Sequence, residues 1–180
     1  MSTQVAEKTT YAIDPAHTTV EFAVRHLMIT KVRGRFAGVA GRVELESGSD
    51  VPVAVSASLD ASTIDTREPQ RDTHLKSADF FEVEKHAALD FVSTRIEGKA
   101  DAFTIHGHLT IHGVTREVAL KAAFEGRAAD PWGGHRVGYT ASTTINRTDF
   151  GLTWNAALET GGVMVGDEVR IELDVQAVQQ

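Results

Sequence analysis

The 180-residue chain has no cysteine, only four prolines and few aromatic residues. Without a thiol there can be no disulfide framework, no thiolate nucleophile and no Cys-ligated zinc or iron–sulfur centre. Cations are scarce as well: 18 Lys and Arg stand against 25 Asp and Glu, a formal net charge of -7. That balance removes the electrostatic footprint of nucleic-acid binders and argues against an anionic membrane surface as the main partner. Charges or glycines interrupt every apolar run before it nears the roughly 20 residues of a membrane helix, so no integral membrane segment is expected. The opening MSTQVAEKTTYAID carries neither a basic stretch followed by an apolar one nor an Arg-rich amphipathic segment, which predicts a cytoplasmic location. Any chemistry is left to His, carboxylates and hydroxyls.

What the chain does have is alternation with a period of two. Val20, Phe22, Val24 and His26 share one face of a strand, with Thr19, Glu21, Ala23 and Arg25 on the other. A second apolar face runs through Val32, Gly34 and Phe36, and then the parity flips to Val39, Val43 and Leu45, which predicts a bulge or sharp bend near Gly38. Further alternating runs cover Val53 to Leu59, Phe103 to Ile111, Val118 to Phe124, Val137 to Ile145 and Val169 to Ala177. About eight to ten antiparallel strands joined by short Gly-containing turns make an all-β barrel or sandwich. Two segments break the pattern. Arg67 to Lys85 reads as a helical excursion over one end, with Asp72 or Ser77 as caps and an apolar cluster at Leu75, Phe80 and Phe81. Asp149 to Gly166 reads as a second lid or long loop. The length and 42% hydrophobic content suit one domain, over 11–178, behind a flexible segment at 1–10.

Each candidate chemistry has a plainer rival. His106, His108 and His112 share parity on one predicted strand, where imidazoles two residues apart could chelate a divalent ion. That face should point to solvent, however, so surface histidines without a metal are expected. His26 lies on the apolar side of its strand, either as a satisfied core imidazole or as a polar group facing a ligand. No G-x-S-x-G elbow occurs, and GGVMVG from Gly161 to Gly166 has neither the spacing nor the following helix of a dinucleotide site. Arg71, Asp72 and His74 in the excursion, and Asn146, Arg147 and Asp149 after a strand end, could each place charge at a barrel mouth. A structural Arg–Asp pair explains them equally well.

Several strings in order, YAIDPAHTTVEFAVRHL, VRGRF, RDTHLKSADFFEVEKHAALDF, GHLTIHGVTREVAL, VGYTASTTINRTDFGL and VGDEVRIELDV, resemble the YceI-like family of polyisoprenoid-binding, lipocalin-like proteins over roughly Tyr11 to Val175. The resemblance implies an extended eight-stranded antiparallel β-barrel with a short helix covering one end. It also implies an interior that takes a long apolar lipid such as a polyisoprenoid, an isoprenoid quinone or a fatty amide. Many members carry a secretory signal, which is not visible here. On the interior faces Phe22, Val24, Phe36, Phe91, Ile105, Leu109, Ile111, Leu120, Phe124, Tyr139, Ala141 and Ile145 are the expected contacts of an apolar tail. Gly34, Ala57 and Ala122 among them leave room for a cavity. His26, Arg71 and His74 are the expected polar mouth. The function so implied is non-catalytic binding, transport or sequestration, with no cofactor besides a bound lipid and an apolar small molecule as partner. A homodimer is admitted beside a monomer. The alternatives are a metal-dependent or isoprenoid-modifying enzyme using His residues, and a barrel filled by its own side chains.

Overall fold

A computed structural model describes residues 5–180. Ten strands are present: β1 (Lys8–Ile13), β2 (Thr19–His26), β3 (Thr30–Phe36), β4 (Val39–Glu46), β5 (Ala54–Asp60), β6 (Ala88–Lys99), β7 (Ala102–Ile111), β8 (Val114–Ala129), β9 (His135–Asn146) and β10 (Val165–Gln179). One α-helix, α1 (Pro69–Lys76), lies between β5 and β6. No helix among the described residues is long and apolar enough to cross a membrane. All pairings between these strands are antiparallel, in the order β1-β4-β5-β6-β7-β8-β9-β10-β2-β3, and β1 also pairs with β10. The sheet is therefore a closed eight-stranded barrel in which two of the staves, β1 with β2 and β3 with β4, are each interrupted once.

Both interruptions have local causes. Between β1 and β2 lies Pro15, which has no N–H for a ladder and fits the first turn of the short 3₁₀ helix Pro15–His17. Asp14 caps that turn, accepting from the Ala16 amide at 3.0 Å and from Arg136 Nη1 at 2.7 Å, while its own amide donates to Gln176 O. Between β3 and β4 the chain turns at Ala37 and Gly38, whose amides both donate to the Thr63 hydroxyl. A Cβ on Gly38 would come within 2.8 Å of Asp60 Cβ, so the predicted bend falls at a residue that the packing requires to be glycine.

Three expectations are revised. The first ten residues are not a flexible tail throughout: Lys8 to Thr10 already pair with Glu46 to Glu44, whereas residues 1–4 lie outside the described part. Gly34 does not open space for a ligand, because the Phe22 ring of the paired strand lies over it and fills the site a Cβ would take. His112 does not continue the face of His106 and His108. With φ 55° it forms, with Gly113, the tight turn between β7 and β8, the left-handed geometry a two-residue hairpin demands. His106 bonds Glu97 at 3.0 Å and His108 is exposed.

The excursion after β5 is held by side-chain caps. Glu68 is the N-cap of α1 and Ser77 its C-cap. Asp72 instead reaches back to accept from the amide and hydroxyl of Thr66. The segment folds its Leu75, Phe81 and Val83 onto the core group of Val20, Phe36 and Ile111. A separate core group around Tyr11, Val43, Phe103 and Val137 occupies another part of the interior.

The Asp14 cap carries a pH dependence. The hydrogen bond from the His17 ring, then that from Arg136, holds the Asp14 carboxyl down from 3.8 to about 2. A carboxyl whose folded value is depressed stabilises the fold fully above its unfolded value and loses that contribution as pH falls through the folded one. Thermal unfolding followed between about pH 4 and pH 2 is expected to show a falling Tm that is measurably flatter in Asp14→Asn; equal slopes would refute the assignment.

Candidate ligand-binding cavity

Because every strand is paired into one closed barrel, side chains of one parity point to a common axis. Ala122 on β8 sits directly opposite Ala141 on β9, and Ala141 opposite Leu173 on β10, so this stretch of the wall is thin. The result is a cavity of about 240 Å³. One water needs only about 10–15 Å³ on the same measure, so the space is far larger than a packing defect. It reaches both core groups: Val20, Phe36 and Ile145 of one and Val43, Phe103 and Tyr139 of the other contribute to its wall.

Of the residues expected to meet an apolar tail, Phe22, Val24, Phe36, Phe91, Ile105, Leu109, Ile111, Leu120, Tyr139, Ala141 and Ile145 line this cavity, as do Ala57 and Ala122. Phe124 does not. Its ring packs 5.6 Å from that of Tyr139 and under the guanidinium of Arg127, where the β8–β9 register shifts between Phe124 and Gly126. The expected tail contacts left out β10, whose Val169, Ile171, Leu173 and Val175 form a continuous row on the wall, and Leu75, Phe80 and Phe81 from the excursion. The β10 row was visible as the clearest alternation in the chain. The excursion had no periodicity that could say where its aromatic pair would land.

The cavity is closed by different means in different places. Beside Tyr139, the loop after β4 is fastened by polar bonds. The Tyr139 hydroxyl donates to Asp50 O at 2.8 Å, and Arg127 donates to Asp50 Oδ1, Ser49 O and the Tyr11 hydroxyl. Burial pushes the Tyr139 phenol well above its ordinary range, which keeps it a neutral donor at any physiological pH. Elsewhere the closing groups are aromatic: Phe81 meets Phe36 edge-on at 6.0 Å, and Phe80 packs 5.4 Å from Trp154. Trp154 belongs to the irregular stretch before β10, which Arg147 secures. This guanidinium, 4% exposed, donates to the carbonyls of Leu152, Trp154, Val165 and Gly166, with Asp167 3.8 Å away. Burial lowers its pKa, but a guanidinium in this setting stays protonated.

The three expected mouth residues do not line the cavity. Arg71 is turned onto its own segment, with Nε donating to the Thr66 hydroxyl at 2.8 Å and Nη2 to Thr66 O at 2.7 Å. His74 bonds Asp79 at 2.8 Å and stands edge-on to Trp154 at 4.8 Å. His26, half-buried at the end of β2, pairs with Val165. His74 thus touches the stretch before β10 and His26 the first residue of β10 itself, whereas Arg71 pins the excursion.

Residues 11–177 match the family model described as the YceI-like domain. The chain belongs to the YceI-like family. A UPF0312 protein of Staphylococcus aureus is 36% identical over 169 residues, which cover 93% of this chain and 96% of that one. Among solved structures, BcnA of Burkholderia cenocepacia superposes with a TM-score of 0.78 at 18% identity, covering 92% of this chain and 99% of that one. A polyisoprenoid binding domain from Saccharophagus degradans superposes with a TM-score of 0.66 at 14% identity, over 94% and 98%. The YceI-like barrel is therefore shared with both.

Arg71→Gln removes two hydrogen bonds to Thr66 and is expected to destabilise the fold by about 1–3 kcal/mol. Urea unfolding checks this, and a variant as stable as the parent would show that Arg71 does not pin the excursion.

Proposed function

We propose that this YceI-like protein is a non-catalytic carrier that binds, transports or sequesters a long apolar lipid, of the polyisoprenoid, isoprenoid quinone or fatty amide class, inside its barrel. The observation that carries the reading is a cavity walled by aliphatic and aromatic side chains from the barrel strands and the excursion. The polyisoprenoid binding domain of Saccharophagus degradans, which shares the barrel, supports the same class of ligand.

The energetics suit a chain of several repeats. Burying a five-carbon isoprene unit gains about 4 kcal/mol gross, at about 0.8 kcal/mol per carbon. Micromolar to nanomolar binding needs about 8–12 kcal/mol net, over an association cost of about 4–15 kcal/mol. About three to seven buried units supply that. The tail lies along the β9–β10 wall past Ala141. The polar head sits toward the stretch before β10, where Arg147 lines the cavity, with His26 and His74 bordering that region in this reading.

Protein purified from its own host and extracted with organic solvent is expected to release lipid at near one equivalent, identified by native and extract mass spectrometry. Ala141→Leu fills the wall between Ala122 and Leu173 at a cost of about 1–3 kcal/mol. It is expected to fold and to lose most of the retained lipid. Unchanged lipid stoichiometry in the folded variant would sink the proposed tail path.

A further inference from the structure

We propose that Glu82, His86 and His112 form a binding site for a divalent transition metal of the zinc class, which clips the excursion carrying Phe80 and Phe81 to the β7–β8 hairpin. Two of the side chains, Glu82 and His86, lie four residues apart and the third, His112, comes from the distant β7–β8 hairpin; each is half-buried. One potential ligand atom from each lies within 4.8 Å of those of the other two.

The local structure aims these groups at one point. The amides of Lys85 and His86 both donate to Glu82 O, at 2.9 and 3.0 Å, so residues 82–86 close a tight turn that brings Glu82 and His86 together. His112 comes from the opposite direction, at the tip of the hairpin. Its Nε2 is fully buried and has no hydrogen-bond partner, although Glu82 Oε2 stands 3.5 Å away. A buried imidazole nitrogen left without a partner is uncommon and calls for an explanation; a metal ion would satisfy it. The other Glu82 oxygen faces Lys85 at 3.1 Å, which leaves Oε2 as the oxygen turned to the histidines.

The surrounding backbone makes room for the two rings. The His86 and His112 rings pack 4.9 Å apart. A Cβ on Gly113 would lie 2.8 Å from His86 Cε1, and one on Gly151 would lie 3.3 Å from His112 Nδ1. The positive φ of His112, 55°, belongs to the hairpin turn, whereas Glu82 also holds a positive φ, 49°, outside any hairpin. Such conformations gather at functional sites, where the surroundings hold them in place.

The donor set decides the class of ion. Two imidazoles with one carboxylate suit zinc and its neighbours and are poor for calcium or magnesium, which prefer all-oxygen shells. Zinc–ligand bonds of about 2.0–2.2 Å put tetrahedral donors about 3.3–3.5 Å apart. The His112–Glu82 pair is already at that spacing, and closing His86 onto it takes a side-chain movement on the order of 1 Å. Three protein ligands leave a fourth position for water.

The test uses the full-length chain without an affinity tag, stripped with a chelator and titrated with zinc chloride by calorimetry and with cobalt(II) by absorption. One equivalent is expected to bind, with a cobalt spectrum of tetrahedral intensity. At 100-fold excess over Kd, zinc should raise Tm by about 5–10 °C. Glu82→Gln, His86→Gln and His112→Asn are each expected to weaken binding at least tenfold and to abolish the Tm rise. Asn is chosen at 112 because it tolerates positive φ, and the variants at 82 and 86 keep the test intact if that one fails to fold. The double variant His106→Gln, His108→Gln, on the outer face of β7, is expected to bind zinc like the parent. The proposal is overturned by absence of saturable binding, by variants at 82, 86 and 112 that bind as the parent does, or by loss of binding in the double variant. The titration reads metal uptake at residues outside the cavity lining, so its outcome is distinguishable from whether the barrel carries a lipid.

Discussion

Closure of the hydrogen-bond ladder is the constraint on which the rest of the structure depends. β4 joins β1 to β5, and β10 joins β9 to both β1 and β2, so each barrel stave is bonded on both sides for much of its length. A closed antiparallel sheet of eight staves has a set circumference, and its interior must be filled by side chains or left open. Here the inward set mixes Phe22, Phe36, Phe91 and Phe103 with Ala57, Ala122 and Ala141. The small residues lie where filling would be needed most, and the interior stays partly empty.

The closing elements around that space rest on different forces. The loop after β4 is held to the barrel by charge-assisted and phenolic hydrogen bonds from Arg127 and Tyr139. The excursion is held mainly by apolar packing of Leu75, Phe81 and Val83, with Arg71, Asp72 and Thr66 bracing it within itself. Polar fastenings have narrow geometric tolerance, whereas aromatic edges can slide past one another at little cost. Such a division between polar and aromatic fastenings would suit the proposed uptake of a flexible chain.

Much of this was legible in the amino-acid order because a strand has an inviolable period. Parity put Phe22, Val24, Ile105, Leu109, Ile111, Leu120, Ala141 and Ile145 on inward faces, and the resemblance to the YceI-like family implied that those faces surround a cavity, whose wall they line. Parity misleads where the cavity ends or the chain leaves the ladder. At Phe124 the ring stays on the inward side, packed against Tyr139 and under Arg127, but lies beyond the cavity wall, and at His112 the left-handed turn takes the imidazole off the strand face. Gly34 looked like empty space in one strand, but it is the seat of an aromatic ring from the next, a fact carried by cross-strand register. The ends of Arg71 and His74 were out of reach for another reason. A helix of eight residues with a single apolar position, Leu75, has no periodicity from which to read the face it presents.

The first and last strands of the chain are direct neighbours, with Tyr11 opposite Gln179 and Ile13 opposite Ala177. During vectorial synthesis the ladder therefore has no means of closing until β10 has left the ribosome. Until then β9, β2 and β1 each wait with an unbonded edge for the same fifteen-residue strand, β10. Unbonded edges template pairing with other chains, and contacts between sequence-distant strands form slowly. Translation that stops short of Val165 leaves seven of the eight staves as an open barrel with an apolar seam, so β10 is what shields the interior made before it.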